Sequence, residues 1–549
     1  MSNAFDKASL VMLPHAYEEG KVYSLKPTDR SGDFTFSRGT DTATRVGEDG
    51  YIKKEYVNLL EQSNQFDTTW TANNSSVTSG QSGYDGTNDA WLLNFDYTAP
   101  DSYLRQEKSI SNLNTFSIYA KSGSVDGIYI EFAAGNYPNI KVDLTDGSLI
   151  STNGTIDTNI ESIGNGWYRV SLSFNQSLAR VNVRGVNGSG VNTSGTIYIQ
   201  DAQINPGLVA YPYLETTTAP VYGGLTDDMP RLDYSGGATC PSLLLEPSRT
   251  NLIGNSELIN PNIDTTWKQL GANTFTNNYG ISPEGKQNST LIQFGGTNSA
   301  YQVYYQMNFS AGDYTTSIYA KGSGSFKLGI YDNASILTDT ITLTSEWQRF
   351  KVTKTAAAAG GARGVWLYPN GDGNTIEVWG AQVEAGSYPT SYIPTYGSSQ
   401  TRAGETPPFP NAFTFDNLGA GESGTLAFKF KVNGVDGGIF RLFSQGGSGT
   451  WFWNSSSLII YTTSGPLTFS MFNNIVNSIG DTFHICFRKN NNLLTLFVNG
   501  QESNTRDMGT DNFSFFSHIS TYTSSQSVMQ ITQYDTALSD SECIALTTL

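Results

Sequence analysis

Trp366 and Tyr368 alternate along the stretch ARGVWLYP, with Asn370 and Asp372 directly behind them. Alternate residues of a strand project from one face, so this spacing gathers two aromatic rings, an amide and a carboxylate at one strand end. Such a set suits a sugar, whose C–H face stacks on an aromatic ring while amides and carboxylates bind its hydroxyls. Trp451 and Trp453, followed by Asn454, repeat the arrangement, and Trp91 stands beside Asn88 and Asp89. Trp366, Tyr368, Asn370, Trp451, Trp453 and Trp91 are therefore the candidate ligand residues. Alternating aromatics also fill cores, the role expected of Trp167, Trp347 and Trp379.

Covalent chemistry finds little support. The histidines are His15, His484 and His518, each beside apolar or aromatic residues. No GxSxG elbow, Walker loop or GxGxxG turn accompanies them. A glycosidase needs only two carboxylates at the right separation, and 49 acidic residues offer many pairs without singling one out. No catalytic residue is assigned, no cofactor is required, and the chain is not expected to be an enzyme. Cys240, Cys486 and Cys543 form no CxxC pair, which leaves neither a zinc site nor a disulfide framework.

The elements that must hold these side chains are strands, and many of them occur twice. VNLLEQSNQFDTTW from Val57 returns as TNLIGNSELINPNIDTTW from Thr250, and SIYAK from Ser117 returns from Ser317. WYRVSLS from Trp167 matches WQRFKVT from Trp347, and TIYIQDAQINPG from Thr196 matches TIEVWGAQVEAG from Thr375. Four anchors in one order mark a duplicated domain. Between them, short runs alternate apolar and polar residues and are separated by Gly, Asn or Ser, the pattern of a two-sheet sandwich. A third set of strands, GTLAFKFKV to VMQITQYD, follows the Pro-rich TPPFP. Ser539 and Glu542 stand in capping-box spacing, which predicts a short C-terminal helix. Phe34 and Phe36 alternate after an SGD turn and predict a strand, and Leu243, Leu244 and Leu245 predict a covered stretch in the connector.

The expected fold is all-β: tandem antiparallel β-sandwich jelly-roll modules, two duplicated and one different, with a small N-terminal segment. The boundaries read 1–55 for that segment, 56–216 and 250–396 for the repeats, 217–249 for a connector and 397–549 for the last sandwich.

Composition sets outer limits. Only 15% of residues are charged, 12% are aromatic, and the net charge is −17. An acidic surface repels nucleic-acid backbone and anionic membrane. The apolar run Ala8 to Leu13 is too short for a secretory signal, and no stretch is long enough to span a bilayer.

The pattern SIYAKSG, GWYRVSLS, YIQDAQINPG and PYLET resembles the carbohydrate-binding-module-like jelly rolls of bacteriophage structural proteins. The second copy, ending WGAQVEAGSYPTSYIPT, is the nearer match; the first departs at Gln200-Asp201, where its partner has Trp379-Gly380. HICFRKNNNLLTLFVNG and QYDTALSDSECIAL resemble a laminin-G-like, concanavalin-A-type sandwich. SLVMLPHAYEEGKVYS, SGDFTFSRGTDTATRV and PRLDYSGGATCPSLLLEPSRTNL are similar to the opening of phage head or tail fibre proteins. The resemblance implies a virion fibre or spike, assembled in host cytoplasm and working outside the cell on host surface glycans. It implies a homo-oligomer, a trimer above all, attached to other virion proteins through residues 1–55, with Leu10, Val11, Leu13 and Phe36 as apolar anchors. It also implies a structural calcium, for which Asp332-Asn333 and Asp372-Gly373-Asn374 are candidate loops. Alternatives are an architectural capsid or tail decoration protein, a polysaccharide depolymerase and a bacterial surface lectin.

Overall fold

A computed structural model describes residues 2–548 apart from 99–100, 133–136, 416–417, 439, 446–447, 454–456, 463–464, 471–478, 512–517, 520 and 522–523. The chain is all-β and antiparallel, built of β-sandwiches. Its described helices are Ser2–Lys7 and the expected Asp540–Thr547, whose Ser539 and Glu542 complete a capping box. No described helix is long and apolar enough to cross a membrane.

The two repeats fold alike, the first with six strands in each sheet and the second with five. In the first jelly roll one sheet runs Asp157–Gly164, Trp167–Asn175, Leu113–Ser122, Gly195–Pro206, Ala90–Phe95, Ser75–Gln81. In the second, the equivalent sheet runs Gln348–Ala356, Gly312–Gly322, Thr375–Ala385, Thr290–Gln293, Thr274–Thr276. Each is covered by a facing sheet, and apolar residues at alternate positions, such as Ile128 and Val183 or Leu328 and Leu367, fill the space between. The two copies even share a bulge. Pairing shifts between Ser117 and Tyr119 in one and between Ser317 and Tyr319 in the other. The extra residue takes a left-handed conformation, Asp201 at φ 55° and Gly380 at φ 63°. The departure visible in the sequence is thus a substitution at one bulge position, where glycine is the unstrained choice.

The modules are nested rather than strung in a row. Leu10–Met12 pairs with Ser524–Tyr534, with Leu10 opposite Gln533, and Ser242–Leu245 pairs with the same strand, with Leu243 opposite Val528. Both therefore extend the large sheet of the last sandwich. Leu10, Met12, Val22, Phe34, Phe36, Leu232, Leu243 and Leu245 are buried in one core with Phe428, Phe430, Ile485 and Ile531. The boundary expected at 397–549 widens accordingly: residues 1–55 and 217–249 complete that sandwich, and the two jelly rolls are insertions into it. Each insertion is closed at its base by a short ladder, Glu55–Asn58 with Val221–Gly224 and Arg249–Asn251 with Gln400–Arg402.

This topology corrects the expected anchors. Leu10, Val11 and Phe36 are at most 2% exposed, and Leu13, half-buried, packs against the cluster that contains Val11, Phe497 and Leu538. A segment too polar for its own core has buried Leu10, Val11 and Phe36 against the far end of the same chain, so these three are not free to bind another protein, and Leu13 is half-buried beside them.

Two buried charge networks fix the insertions in place. Arg231 pairs with Glu246 at 2.7 Å and also with Glu405; Arg402 reaches Glu246 at 2.8 Å and Arg38 reaches Glu405 at 3.4 Å. The Ser391 hydroxyl donates to Glu246 at 2.6 Å. Nearer the jelly rolls, Lys54 lies 2.7 Å from Glu257 and 2.9 Å from Glu284. Glu257 accepts from the Tyr396 hydroxyl at 3.0 Å, and the Tyr211 hydroxyl of the first module donates to Glu284 of the second. Charges buried this deeply are tolerated because each meets a partner of opposite sign.

Candidate glycan-binding face

The structure treats the candidate aromatics differently. Trp91 lies in the core of the first jelly roll, with its indole N–H donating to the Asn64 carbonyl at 2.9 Å. It is not a platform. Trp451 and Trp453 fall on the strand Ser448–Trp453, where their side chains lie outside the described residues, as does Asn454. Trp167 and Trp379 are buried as expected, though not between the sheets. They lie on the outer face of one sheet, Trp379 under Ile52 and Tyr392, and Trp167 beside Tyr84 and Tyr119. Trp347 is half-buried there and donates to the Ile281 carbonyl at 2.8 Å.

Trp366 and Tyr368 do share a face, the outer side of the strand Ala359–Pro369, while Val365 and Leu367 point into the core. Only 4% of Trp366 and 9% of Tyr368 is exposed, because neighbouring side chains cover them. The rings of Tyr331 and Trp366 are 5.5 Å apart and those of Trp366 and Tyr368 5.1 Å. The guanidinium of Arg363 lies over Tyr304, Trp366 and Tyr331, at 4.4, 5.0 and 5.1 Å from the ring centres. Gln302 holds this group together: its side-chain oxygen accepts from the Trp366 indole at 2.9 Å and from Arg363. The accessible surface is formed by half-buried Tyr304, Tyr331 and Arg363. These were missed in the sequence. Their signal was the repetition of GIY at Gly127 and Gly329 and of RGV at Arg184 and Arg363.

Strand register puts Lys268 beside Tyr304 and Lys327 beside Tyr368 on this same face, and Thr340 beside Lys327. Leu270 and Ile336 are exposed at its two edges. Among the described residues no Asp or Glu is paired with these cations; Asp372 meets Ser325 at the edge of the face. Asn370 is exposed in the following turn, where its N–H donates to the Ser325 carbonyl at 2.9 Å. Aromatic surface flanked by amide, hydroxyl and cationic donors can stack a sugar ring and bind its oxygens.

In both candidate calcium loops the aspartate carboxylate accepts backbone N–H groups. Asp332 spends its carboxylate on the backbone N–H groups of Ala334, Ser335 and Ala357, at 3.1, 2.7 and 3.0 Å. Those bonds hold its carboxyl below the usual range. Asp372 accepts the Ser325 N–H at 2.7 Å. Among the described residues no group of three or more His, Cys, Asp or Glu is placed to hold a metal, whereas calcium takes about 6–8 oxygen ligands.

Clefts lie at the module junctions. One of about 310 Å³ is bounded by Asp157, Arg169 and Asn278, and one of about 410 Å³ by Glu55, Tyr56, Asn112 and Tyr222.

No protein-family model matches the sequence, and no curated protein does. Among solved structures, the chain is similar to the CBM40 of Ruminococcus gnavus IT-sialidase, at 18% identity over 26% of this chain and 89% of that one, with a TM-score of 0.20. It is similar to the CBM22 tandem of Paenibacillus barcinonensis Xyn10C, at 11% identity over 64% and 98%, TM-score 0.20. The LG1-3 region of the laminin alpha2 chain aligns at 11% identity over 80% and 96%, TM-score 0.14. Likenesses this low carry no functional argument, and the readings below rest on the chain's own residues.

Proposed function

We propose that this chain is a structural protein of a bacteriophage particle, a head or tail fibre or spike that holds β-sandwich modules against host surface glycans. The observation that carries the adhesive part is the outer face of the second jelly roll. There Tyr304, Tyr331 and Arg363 form an accessible aromatic and cationic surface over Trp366, with Gln302 fixing its geometry. The particle assignment rests on the resemblance of the opening segment and repeats to phage fibre proteins. Attachment to the particle is assigned to the composite sandwich as a whole, since its apolar residues are spent in its core. A trimer displaying several such faces would gain avidity, roughly 10²–10⁴ over a single site, without new contacts.

A purely architectural role is the second reading. It is favoured by the near-complete burial of Trp366 and Tyr368, which leaves tyrosines rather than tryptophan at the surface. Binding of the purified chain to host-type cells and a broad glycan array, with light scattering for the oligomer, separates the two. Saturable binding that Tyr304→Ala and Tyr331→Ala abolish supports adhesion. A folded oligomer that binds no glycan and no cell supports the architectural role.

A further inference from the structure

The two jelly rolls carry the same arginine in different electrostatic states. Arg184 of the first and Arg363 of the second each open an RGV motif, and each lies opposite the tyrosine of a GIY motif, Tyr129 and Tyr331. In the first copy the charge is answered internally. Arg184 donates to Glu131 at 2.8 Å and to the Ser102 carbonyl at 3.1 Å, and Asn182 donates to the same Glu131 oxygen at 3.0 Å. Arg184 is only 8% exposed. In the second copy, the position two residues beyond the tyrosine is Asn333 in place of Glu131. Among the described residues Arg363 has no ion pair; its polar partner is the Gln302 amide oxygen, and aromatic rings cover its flanks. With Lys268 and Lys327 the face gathers three cations, none of them in an ion pair among the described residues, on a chain whose net charge is −17. Folding alone does not call for an unanswered cation cluster, since the sister module shows how the fold neutralises one.

We propose that the outer face of the second jelly roll takes a carboxylate-bearing sugar, with Arg363 binding the carboxylate and Tyr304 or Tyr331 stacking on the sugar ring. A guanidinium offers paired N–H donors that match a carboxylate, and a site partly shielded by aromatic rings strengthens that pairing over water. The first jelly roll, with Glu131 already in that place, repels the same group. The inference deepens the adhesive reading above and depends on it.

The test uses the full-length chain and paired probes that differ only in a carboxylate: sialyllactose against lactose, and polygalacturonate against its carboxyl-reduced form. The two pairs distinguish a sialic from a uronic acid source. Expected is at least tenfold tighter binding to one acidic member than to its neutral partner, weakening as salt rises. Arg363→Gln should lose that preference, Arg363→Lys should keep part of it, and Arg105→Gln on the first module should leave it intact. Equal binding of acidic and neutral partners, or acid binding that survives Arg363→Gln, overturns this inference and leaves the adhesive reading standing. Binding to no probe, no array glycan and no cell overturns both. Thermal melts of each variant identify a loss caused by misfolding, in which case Arg363→Lys, which keeps the charge but not the paired N–H donors, replaces Arg363→Gln. Undiminished acid preference in Arg363→Lys would then overturn the inference.

Discussion

Asn58 and Asn251 make the same four hydrogen bonds in the two jelly rolls. Each side-chain amide donates to two carbonyls, Ala202 and Leu214 for one and Ala381 and Ile393 for the other. Each side-chain oxygen accepts two backbone N–H groups, of Leu60 and Ile204 or of Ile253 and Val383. Both residues are fully buried. The repeated Asn-Leu is therefore a latch that ties the incoming strand, the last strand and the segment after it. Asn251→Ala leaves four backbone groups unpaired and should cost about 2–5 kcal/mol. Calorimetry of the full chain should show one transition moving down while the first jelly roll is unaffected.

Leu10→Ala should destabilise the composite sandwich by roughly 2–5 kcal/mol, the cost of a cavity in a core. Phe36→Ala should do so by about 3–5 kcal/mol. Deleting residues 1–55 should prevent that sandwich from folding, since it removes part of its core together with Arg38 and Lys54. Proteolysis would then release the two jelly rolls intact. Resistance of the truncated chain equal to that of the full one would refute the nested arrangement.

Glu405→Gln should be more damaging than replacement of Arg38, Arg231, Arg402, Glu246 and Glu405 together by apolar residues of similar volume. Removing one partner strands a buried charge at about 3–5 kcal/mol, whereas removing a whole network can be neutral. The same network responds to acid. Burial alone would raise the Glu246 carboxyl, but Arg402, Arg231 and the Ser391 hydroxyl hold it down at about 2. Its folded value lies below the unfolded one, so its contribution is present above about pH 4 and is lost as pH falls towards 2. Urea titrations between pH 5 and pH 2 measure this loss.

Asp201 works in the opposite sense. Burial raises its carboxyl to about 7, with Asp89 and Asp85 adding to the rise against the bond from Tyr84. The folded state therefore holds a proton that the unfolded chain releases near pH 4, and stability falls as pH climbs from about 4 through 7. Glu55, raised to about 8 by burial and by Asp41 and Asp227, pulls the same way. The first jelly roll should melt higher at pH 5 than at pH 8. Asp201→Asn should reduce the difference, by an amount on the order of 1–3 kcal/mol at pH 8.

The duplication and the strands were legible because turn residues and alternating apolar positions are local signals, and the bulge departure at Asp201 showed as a break in an otherwise matching motif. The nesting was not. Nothing near Leu10 or Leu243 in the sequence announces Ser524–Tyr534, since strand pairing between distant segments has no local signature. Arg38, Arg231 and Glu405 read as ordinary surface charges, although each lies in a motif singled out for other reasons or just after the second repeat. For the binding face, alternation told correctly that Trp366 and Tyr368 share a side. It could not tell that Arg363 and the tyrosines lie over them, because covering comes from neighbouring strands.

The strand Ser524–Tyr534 has a further consequence for synthesis. Leu10–Met12 and Ser242–Leu245 both wait for it, so each stays without that sheet neighbour until a strand far later in the chain has been made. The two jelly rolls, each closed by its own short ladder, can mature in the meantime. Completion of the enclosing sandwich then requires contacts of very high sequence separation, which form slowly. A chain interrupted between the second jelly roll and that strand would carry two finished modules on an unfinished frame whose bare apolar strands mark it for degradation or aggregation.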